Sequence, residues 1–362
     1  MQGKPVAIDL FAGVGGLSLG FEAAGFDVRV AVESDNAAAE TYGLNFPQTK
    51  VIPNKIEGIS GELIRAVGEI EGGVEVVFGG PPCQGVSTGG KRLLEDPRNA
   101  LFLEFARIVK ELQPKYFVLE NVQGLLQGRM RSLLDGFISS VEADYYQVIK
   151  PVQVLNAADF GVPQRRNRVF VIGYKRGTPE PGYPVRPYAP RISVWDAISD
   201  LPEPGMIGDS SGVFYGELGQ PTPYSSLLSS LLKVWHFSRE TPFGIDGFQI
   251  TEHSAKTVKR FGLVKPGTFD KVSRFYRLHK DGISSTLRAG TGPDKGSFMA
   301  PRPIHPSTDR CITVREAARL QSFPDWFQFH ETKWHSFLQI GNAVPPLLAR
   351  AVAEPLYMQV TK

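Results

Sequence analysis

Cys83 is the residue of this chain with the clearest capacity for nucleophilic chemistry. It is one of only two cysteines in 362 residues, and it lies in the run Gly79-Gly80-Pro81-Pro82-Cys83-Gln84-Gly85-Val86-Ser87. Prolines fix the backbone angle φ and donate no backbone hydrogen bond, so they stiffen the approach to the thiol. A lone cysteine is also typical of a small buried hydrophobic position, so a catalytic role depends on the motifs that accompany it.

A glycine-rich turn near the amino terminus predicts a site for a nucleoside cofactor. The apolar stretch Ala7-Ile8-Asp9-Leu10 is typical of a strand, and the glycines at 13, 15 and 16 follow it, before an amphipathic helix that ends near Gly25. Such glycines let a ligand approach the backbone and the helix N-terminus. The next predicted strand ends at Glu33, where an acidic side chain can accept both hydroxyls of a ribose. A tight strand-to-helix connection is the alternative.

Two further polar clusters follow predicted strands or precede them. The strand 116–119 leads into Glu120-Asn121-Val122, and Gln164-Arg165-Arg166-Asn167-Arg168 opens onto the strand 169–173. The strand 74–78 delivers Cys83 in the same way. Because ligands bind at the carboxyl ends of strands in open α/β sheets, Cys83 and Glu120 are expected at one edge. Together they supply a nucleophile, an acid and fixed cations.

With these residues the chain resembles the cytosine-5 DNA methyltransferases of bacterial restriction-modification systems. The resemblance covers nearly the full length. It rests on eight motifs in the family's order, namely DLFAGVGG, VES, GGPPCQGVS, DPRNALFLEF, ENV, QRRNRVFVIG, TVREAARLQSFPD and QIGNAVPP. It implies S-adenosylmethionine as the methyl donor, S-adenosylhomocysteine as the product and no metal.

The resemblance implies a role for each catalytic residue. Cys83 would add as a thiolate to carbon 6 of cytosine, which makes carbon 5 nucleophilic. Glu120 would assist at ring nitrogen 3 and Asn121 would position it. Arg168 would hold the carbonyl oxygen of the base, and Arg166 would help to stabilise the active-site side chains. The target base would leave the duplex to reach this pocket, and the segment 84–98 is the expected lid.

The same resemblance implies a cofactor pocket. Phe11 would stack on adenine, Gly13 and Gly15 would admit the methionine moiety, and Glu33 would bind the ribose. The full expected set is Asp9, Phe11, Gly13, Gly15, Glu33, Ile56, Pro81 and Asn342. One position departs from the family, because Asn54-Lys55-Ile56 stands where an aspartate usually accepts the adenine amine. A lysine has no acceptor for that hydrogen bond.

The predicted fold class is α/β, with a Rossmann-like, mostly parallel sheet in an S-adenosylmethionine-dependent methyltransferase domain. Strand–helix alternation is expected from Lys4 to about Gly173, and a Pro-rich linker follows at 178–184. The expected domains are a catalytic domain at 1–190, a smaller and irregular target-recognition domain at 191–334, and a segment at 335–362 that returns to the catalytic domain. Thr313 and Glu316 predict a capping box at the helix of the TVREAARLQSFPD motif.

Composition favours an intracellular enzyme that acts on nucleic acid. No apolar run is long enough to span a bilayer and no leader-like start is seen, so a cytoplasmic protein is expected. The protein is also expected to be a monomer and to associate with the nucleoid. Two cysteines and six histidines without paired spacing predict no disulfide framework and no metal site. The resemblance implies double-stranded DNA as the partner, and leaves open a cognate restriction endonuclease that acts independently.

Charge is concentrated in one segment. Net charge is only +3, but 256–310 holds twelve Lys and Arg against four acidic residues. Interleaved aromatic residues favour a phosphate-binding surface, with Arg274 and Arg277 as expected contacts. Three other functions remain open, namely a transfer-RNA cytosine-5 methyltransferase, a catalytically silent DNA-binding regulator and a nicotinamide oxidoreductase. The first is disfavoured because its usual Cys-Phe-Thr signature is missing. The intact Cys83, Glu120 and Arg168 argue against the second. The third gives the Pro-Pro-Cys turn no role.

Overall fold

The computed structural model describes residues 3–82, 100–187, 191–204, 220–231, 245–290 and 302–362. Cys83 and the expected lid at 84–98 therefore lie outside the described residues. By packing, the chain divides into two compact units. Unit 1 comprises Met1–Asn156, Asn167–Arg186 and Ala349–Lys362, and unit 2 comprises Ala157–Arg166 and Pro187–Leu348. Packing groups residues without giving them roles, so the functional domains stay a prediction.

Unit 1 is built on one eight-stranded sheet. Its strands are β1 (Val6–Leu10), β2 (Asp27–Val32), β3 (Lys50–Ile52), β4 (Val76–Gly79), β5 (Tyr116–Val122), β6 (Tyr146–Val148), β7 (Gln153–Asn156) and β8 (Asn167–Lys175). Their order is β3-β2-β1-β4-β5-β8-β6, and β7 also pairs with β8. Strands β1 to β5 are mutually parallel, whereas β8 runs antiparallel to its neighbours. The predicted strands are confirmed, with ends that shift by up to three residues.

Helices alternate with the first five strands, as expected for parallel pairing. They are α1 (Gly16–Ala24), α2 (Asn36–Asn45), α3 (Gly61–Val67), α4 (Ala100–Leu112) and α5 (Gly128–Glu142). Helix α1 ends where Gly25 adopts φ 115°, a conformation that glycine reaches at no steric cost. The expected alternation fails after α5, because β6, β7 and β8 follow one another without an intervening α-helix.

The core of unit 1 lies between the sheet and its helices. One cluster joins apolar residues of β1, β4 and β5 to aromatic residues of α4 and α5. Phe117 packs edge-on against Phe105, Phe137 and Tyr146. On the other face, the rings of Phe21 and Phe78 stack with centroids 3.9 Å apart. Both faces of the central strands are therefore covered, as parallel sheets require.

Unit 2 holds shorter helices and long irregular segments. Its helices are α6 (Val194–Ile198), α7 (Pro223–Leu231), α8 (Ala255–Gly262), α9 (Val314–Leu320) and α10 (Lys333–Asn342), and α11 (Pro346–Val360) begins in it and continues into unit 1. The capping box of Thr313 and Glu316 at α9 is confirmed. Arg319, 1% exposed, bonds the carboxylates of Asp200 and Asp325. Buried ion pairs of this kind hold the irregular segments around α9.

Gly20 gives a stability test of the packing between α1 and the carboxyl-terminal part of α11. A methyl group at Gly20 would overlap Cβ of Ala349 and lie 2.5 Å from the backbone nitrogen of Arg350. We therefore predict that Gly20→Ala lowers the free energy of unfolding by about 1–3 kcal/mol. Chemical denaturation measures this loss.

Gly136, inside α5, is the matched control, because a methyl group there meets nothing within 4 Å. Gly136→Ala should raise the free energy of unfolding by about 0.5–1 kcal/mol, since alanine is the better helix former. Equal effects of the two substitutions, in either direction, would contradict the proposed close packing at Gly20.

Candidate active site

Four strand ends bring the predicted site residues of unit 1 to one edge of the sheet. Leu10 pairs with Gly79, and Gly79 pairs with Leu119, so the chain leaves β1 and β4 beside Glu120 of β5. Val32 of β2 pairs with Leu10, which places Glu33 in the same row. Parallel pairing thus aligns residues that are more than a hundred positions apart in sequence.

The glycine turn after β1 is strained and has an open side. Phe11 has φ 59°, Gly13 has φ 55° and Gly15 has φ 89°. A methyl group at Gly13 would meet nothing within 4 Å, whereas one at Gly15 would overlap the ring of Phe46 and lie 2.9 Å from that of Tyr42. Gly13 therefore leaves room for a ligand. Gly15 is required by internal packing, which differs from the ligand-admitting role that the resemblance implies.

Glu33 is tied to this turn. Its Oε2 accepts a hydrogen bond from the backbone N–H of Gly13 at 2.7 Å, and its Oε1 accepts one from Asp35 at 2.7 Å. Burial raises the pKa of the Glu33 carboxyl, and these two backbone donors oppose that rise. Each carboxylate oxygen carries two lone pairs, so a ribose hydroxyl can be accepted while both bonds persist.

The segment after β3 holds the position that departs from the family. Ile56 is 3% exposed and belongs to the core cluster of unit 1, against which Phe11 also packs. Asn54 and Lys55 are exposed, and Oδ1 of Asn54 accepts the backbone N–H of Lys55 at 2.8 Å. The only side-chain acceptor of this pair thus lies on Asn54, and it is fixed by its neighbour.

Asp9 lies beneath the turn, fully buried on β1. Ser18 of α1 donates to its Oδ2 at 2.6 Å. Burial raises the pKa of Asp9 well above its usual range, although the hydrogen bond from Ser18 lowers it. Because the Asp9 side chain has no exposed surface and bonds Ser18 of α1, its contribution to a cofactor site is indirect in this structure.

Asn121 joins the ends of β4 and β5. Its Nδ2 donates to the backbone oxygen of Pro81 at 2.9 Å, and its Oδ1 accepts from the backbone of Val122 at 2.8 Å. Glu120 stands beside them, and a methyl group at Gly80 would lie 2.8 Å from its Oε2. The glycine therefore leaves space for the carboxylate, and Pro81 is held two residues before Cys83.

Arg168 completes the cluster in unit 1. It pairs with Val122 across the antiparallel ladder of β5 and β8, so its side chain reaches Glu120 on the same face. Its Nε lies 2.9 Å from Glu120 Oε1, with both side chains almost buried. A close guanidinium favours the ionised form of a carboxylate. The predicted acid and the predicted cation are thus brought together.

Arg166 lies in unit 2 and has a different environment. It is fully buried, and its guanidinium donates to the backbone oxygens of Leu287 at 3.0 Å, Gly341 at 2.7 Å and Ala343 at 2.8 Å. Asn342, exposed, lies between the last two. Gln321 donates to the same oxygen of Ala343 at 2.7 Å. Arg166 is therefore a positioning residue of this turn, and it has no surface with which to touch a base.

Sequence reasoning missed Ser18 and Tyr42, which support the glycine turn, and Gln321, which supports the turn at Asn342. Ser18 and Tyr42 belong to none of the motifs and Gln321 belongs to TVREAARLQSFPD, but each acts through a partner that is not its neighbour in sequence. A polar residue on the buried side of an amphipathic helix was the available signal for Ser18. Among the described residues, no cluster of three or more His, Cys, Asp or Glu side chains is suited to a metal.

Comparison with known proteins gives consistent matches. A family model for C-5 cytosine-specific DNA methylases matches residues 6–357. The Type II methyltransferase M.XorII of Xanthomonas oryzae pv. oryzae is 44% identical over 366 residues, which cover 99% of this chain and 86% of that protein. M.DdeI of Desulfomicrobium norvegicum is 36% identical, with 96% and 87% covered.

Solved structures agree. One described as a prophage-encoded DNA modification methyltransferase of E. coli matches with a TM-score of 0.79 and 34% identity, and covers 99% of this chain and 100% of that one. The Entamoeba histolytica methyltransferase EhMeth matches with a TM-score of 0.65 at 17% identity, over 100% of each chain, which shows the fold alone.

The exposed pair after β3 yields a binding prediction. If Asn54 Oδ1 accepts the adenine amine in place of the usual aspartate, Asn54→Ala should weaken binding of S-adenosylhomocysteine by about 0.5–1.5 kcal/mol. Lys55→Ala should change it little, because lysine offers only donors. Calorimetric titration of both variants measures this, and the reverse pattern would show that the lysine is engaged in the pocket.

Proposed function

Because the chain belongs to the C-5 cytosine-specific DNA methylase family, we propose that Cys83, Glu120 and Arg168 divide among themselves the chemistry of methylating cytosine in duplex DNA. The protein is a DNA cytosine-5 methyltransferase with the α/β methyltransferase fold. The proposal concerns the residues that perform this reaction, the route by which the base reaches them, and the surface that holds the DNA.

Cys83 is the proposed nucleophile. Carbon 5 of cytosine is a weak nucleophile, and addition of a thiolate at carbon 6 converts the ring into an enamine whose carbon 5 can attack a methyl group. S-adenosylmethionine, when bound, supplies that methyl group as a sulfonium. The target base is extruded from the duplex, because its carbon 6 is inaccessible within the stack.

The observation that carries the assignment is the pair of Glu120 and Arg168. Thiolate addition places negative charge on the ring, which a proton or a strong hydrogen bond at nitrogen 3 offsets. Glu120, at the end of β5, is proposed to take that role, and Arg168, whose Nε lies 2.9 Å from Glu120 Oε1, is proposed to bind the base carbonyl oxygen. A guanidinium carries five N–H donors, more than Glu120 and Asn167 take up in this structure.

Entry of the base would change the partner of Arg168. As its donors turn toward the carbonyl oxygen, Arg168 is shared between Glu120 and the substrate, and Glu120 takes a proton from solvent and shares it with nitrogen 3. Asn121 holds Pro81, which follows β4, beside the end of β5 during this exchange, because its side chain bonds the backbones of Pro81 and Val122.

The turn after β1 fits the cofactor. The space beside Gly13 admits a ligand to the backbone, and Glu33 retains acceptor capacity for a ribose. Phe11, adjacent to this space in sequence, is proposed to stack on the adenine, and Ile56, Pro81 and Asn342 are proposed to border the pocket. Gly15 and Asp9 are proposed to act by shaping the turn.

DNA is proposed to lie on the basic segment of unit 2. Its described part has seven exposed cations, Lys256, Lys259, Lys265, Lys271, Arg274, Lys280 and Arg288. The expectation that Arg277 contacts phosphate is wrong. Arg277 is 6% exposed and donates to the backbone oxygen of Phe261 at 2.8 Å and to Asp309 at 3.0 Å.

Arg274, three residues earlier, is exposed at a rigid tip. The carboxylate of Asp270 accepts hydrogen bonds from the backbone N–H and the hydroxyl of Ser273, at 2.7 and 2.6 Å. The backbone N–H of Arg274 donates to the backbone oxygen of Asp270 at 2.9 Å. A side chain on a preorganised tip loses less conformational entropy when it binds. Arg274 is therefore the proposed phosphate contact of this tip.

The curated relatives named above are Type II methyltransferases of restriction-modification systems, which favours DNA over RNA as the substrate.

We propose, as finer points, a monomer that acts on the nucleoid in the cytoplasm. Residues 1–190 and 335–362 would form its catalytic domain, and residues 191–334 its target-recognition domain. An independently acting cognate endonuclease stays open. No helix among the described residues is long and apolar enough to cross a membrane.

Glu120→Gln tests the proposed chemistry. The amide preserves the shape of the side chain but cannot exchange a proton with nitrogen 3, so the single-turnover rate of methylation should fall by about 10²- to 10⁴-fold. Affinity for S-adenosylhomocysteine should stay within about twofold, since no cofactor contact is lost. A large loss of cofactor binding with normal chemistry would move Glu120 to the cofactor pocket.

Cys83→Ser and Cys311→Ser are the paired controls for the nucleophile. DNA with 5-fluorocytosine at the target should trap wild type covalently, because the reaction cannot finish by losing a proton from carbon 5. Cys83→Ser should form no adduct, and Cys311→Ser should form the normal one, since Cys311 is buried in unit 2. An adduct in Cys83→Ser would contradict the assignment.

Arg274→Gln tests the DNA surface. Each phosphate contact contributes about −0.9 to the slope of log affinity against log salt. Arg274→Gln should therefore flatten that slope by about one unit without changing the recognition site. Lys50→Gln, which removes an exposed cation at the amino end of β3, should leave the slope unchanged. A changed site at constant slope would mean that Arg274 reads bases.

A further inference from the structure

Tyr42 is a buried tyrosine that joins three elements beneath the glycine turn. It lies on α2 and is fully buried. Its hydroxyl donates to Ser18 Oγ on α1 at 2.7 Å, and Ser18 donates to Asp9 Oδ2 on β1 at 2.6 Å. One continuous chain of hydrogen bonds therefore connects α2, α1 and β1.

The ring of Tyr42 supports the turn as well. It lies where a side chain at Gly15 would be, next to Phe46, and the two rings are 4.5 Å apart between centroids. The start of α2 is also tied to the turn, because Glu33 accepts from Asp35 on one side and from Gly13 on the other. The two ends of α2 are thus linked to the turn, through Asp35 and Glu33 before the helix and through Tyr42 and Phe46 at its end.

The turn needs such support. Phe11 is not a glycine, yet it has φ 59°, and it is followed by two glycines that also have positive φ. A backbone conformation of this kind persists only when surrounding contacts hold it. The backbone bonds from Ala12 to Val32 and from Gly15 to Ala12 hold one side. The rings of Tyr42 and Phe46, at the end of α2, lie against the turn at Gly15.

We propose that Tyr42 is a positioning residue for cofactor binding: through the Tyr42–Ser18–Asp9 chain it keeps the Phe11–Gly15 turn in the conformation that receives S-adenosylmethionine. This inference rests on the proposed cofactor role of the turn. Tyr42 has no surface with which to contact the cofactor, so its whole effect passes through the backbone of the turn.

Tyr42→Phe removes the hydroxyl and leaves the ring that packs against Gly15. Loss of one link in the support should weaken binding of S-adenosylhomocysteine to the full-length protein by about three- to tenfold, the range that corresponds to one hydrogen bond. Ser18→Ala cuts the same chain at its centre and should have a similar effect. The double variant should bind no more weakly than the more affected single variant, because the chain acts as a unit. Calorimetric titration measures all three.

Tyr146→Phe is the matched control. Tyr146 is equally buried and donates one hydrogen bond, to the backbone oxygen of Pro114 at 2.8 Å. It lies on β6, at the opposite edge of the sheet from α2. Both tyrosine variants should lose thermal stability to a similar degree, but Tyr146→Phe should keep wild-type affinity.

Two outcomes would overturn the inference, and they are distinguishable. If Tyr42→Phe binds S-adenosylhomocysteine as tightly as wild type while its melting temperature falls like that of Tyr146→Phe, Tyr42 serves stability alone. If wild type itself fails to bind S-adenosylhomocysteine, the proposed cofactor role of the turn is wrong and this inference fails with it.

Discussion

The contact between Arg168 and Glu120 depends on one strand that runs against the others. Ladders of the parallel strands β1, β4 and β5 bring Phe11, Gly80 and Glu120 to one edge. Because β8 is antiparallel to β5, its first residues lie at the edge where β5 ends. A parallel β8 would present its last residues there instead. The reversal of one strand therefore places a cation beside the acid, and the neighbouring strand ends build the rest of the pocket around them.

Local signals explain what the sequence could predict. Strands β1, β2, β4, β5 and β8 are short apolar runs ended by glycine or by a polar group, and the ends of each lie within three residues of the predicted ones. Gly25 and the Thr313 capping box follow from single-residue rules. The turn glycines and Glu33 could be placed because their spacing is a property of the strand–turn–helix unit itself. Cys83 lies outside the described residues, so its placement rests on sequence alone.

Burial of arginine is what the sequence could not reveal. Arg166, Arg277 and Arg319 look like any basic residue in a charged segment, but each is buried and donates hydrogen bonds to backbone oxygens or carboxylates. The partners of Arg166 lie more than a hundred residues away in sequence. Such pairings exist only after the chain has folded, so no local pattern separates them from the exposed Arg274. Strands β6 and β7 were not predicted, because antiparallel pairing at a sheet edge leaves little trace in composition.

This division between buried and exposed cations bears on how a chain of net charge +3 can bind a polyanion. A buried guanidinium that is paired with carboxylates or carbonyls adds little field at the surface, so Arg277 and Arg319 contribute to the framework of unit 2 and not to DNA attraction. The exposed cations from Lys256 to Arg288 then act with few competing acids, because Asp270 is itself buried and bonded to Arg260. A local surface charge of one sign is what attracts phosphate. The modest net charge therefore reflects acids placed elsewhere on the chain, and it is compatible with the proposal that this segment binds DNA.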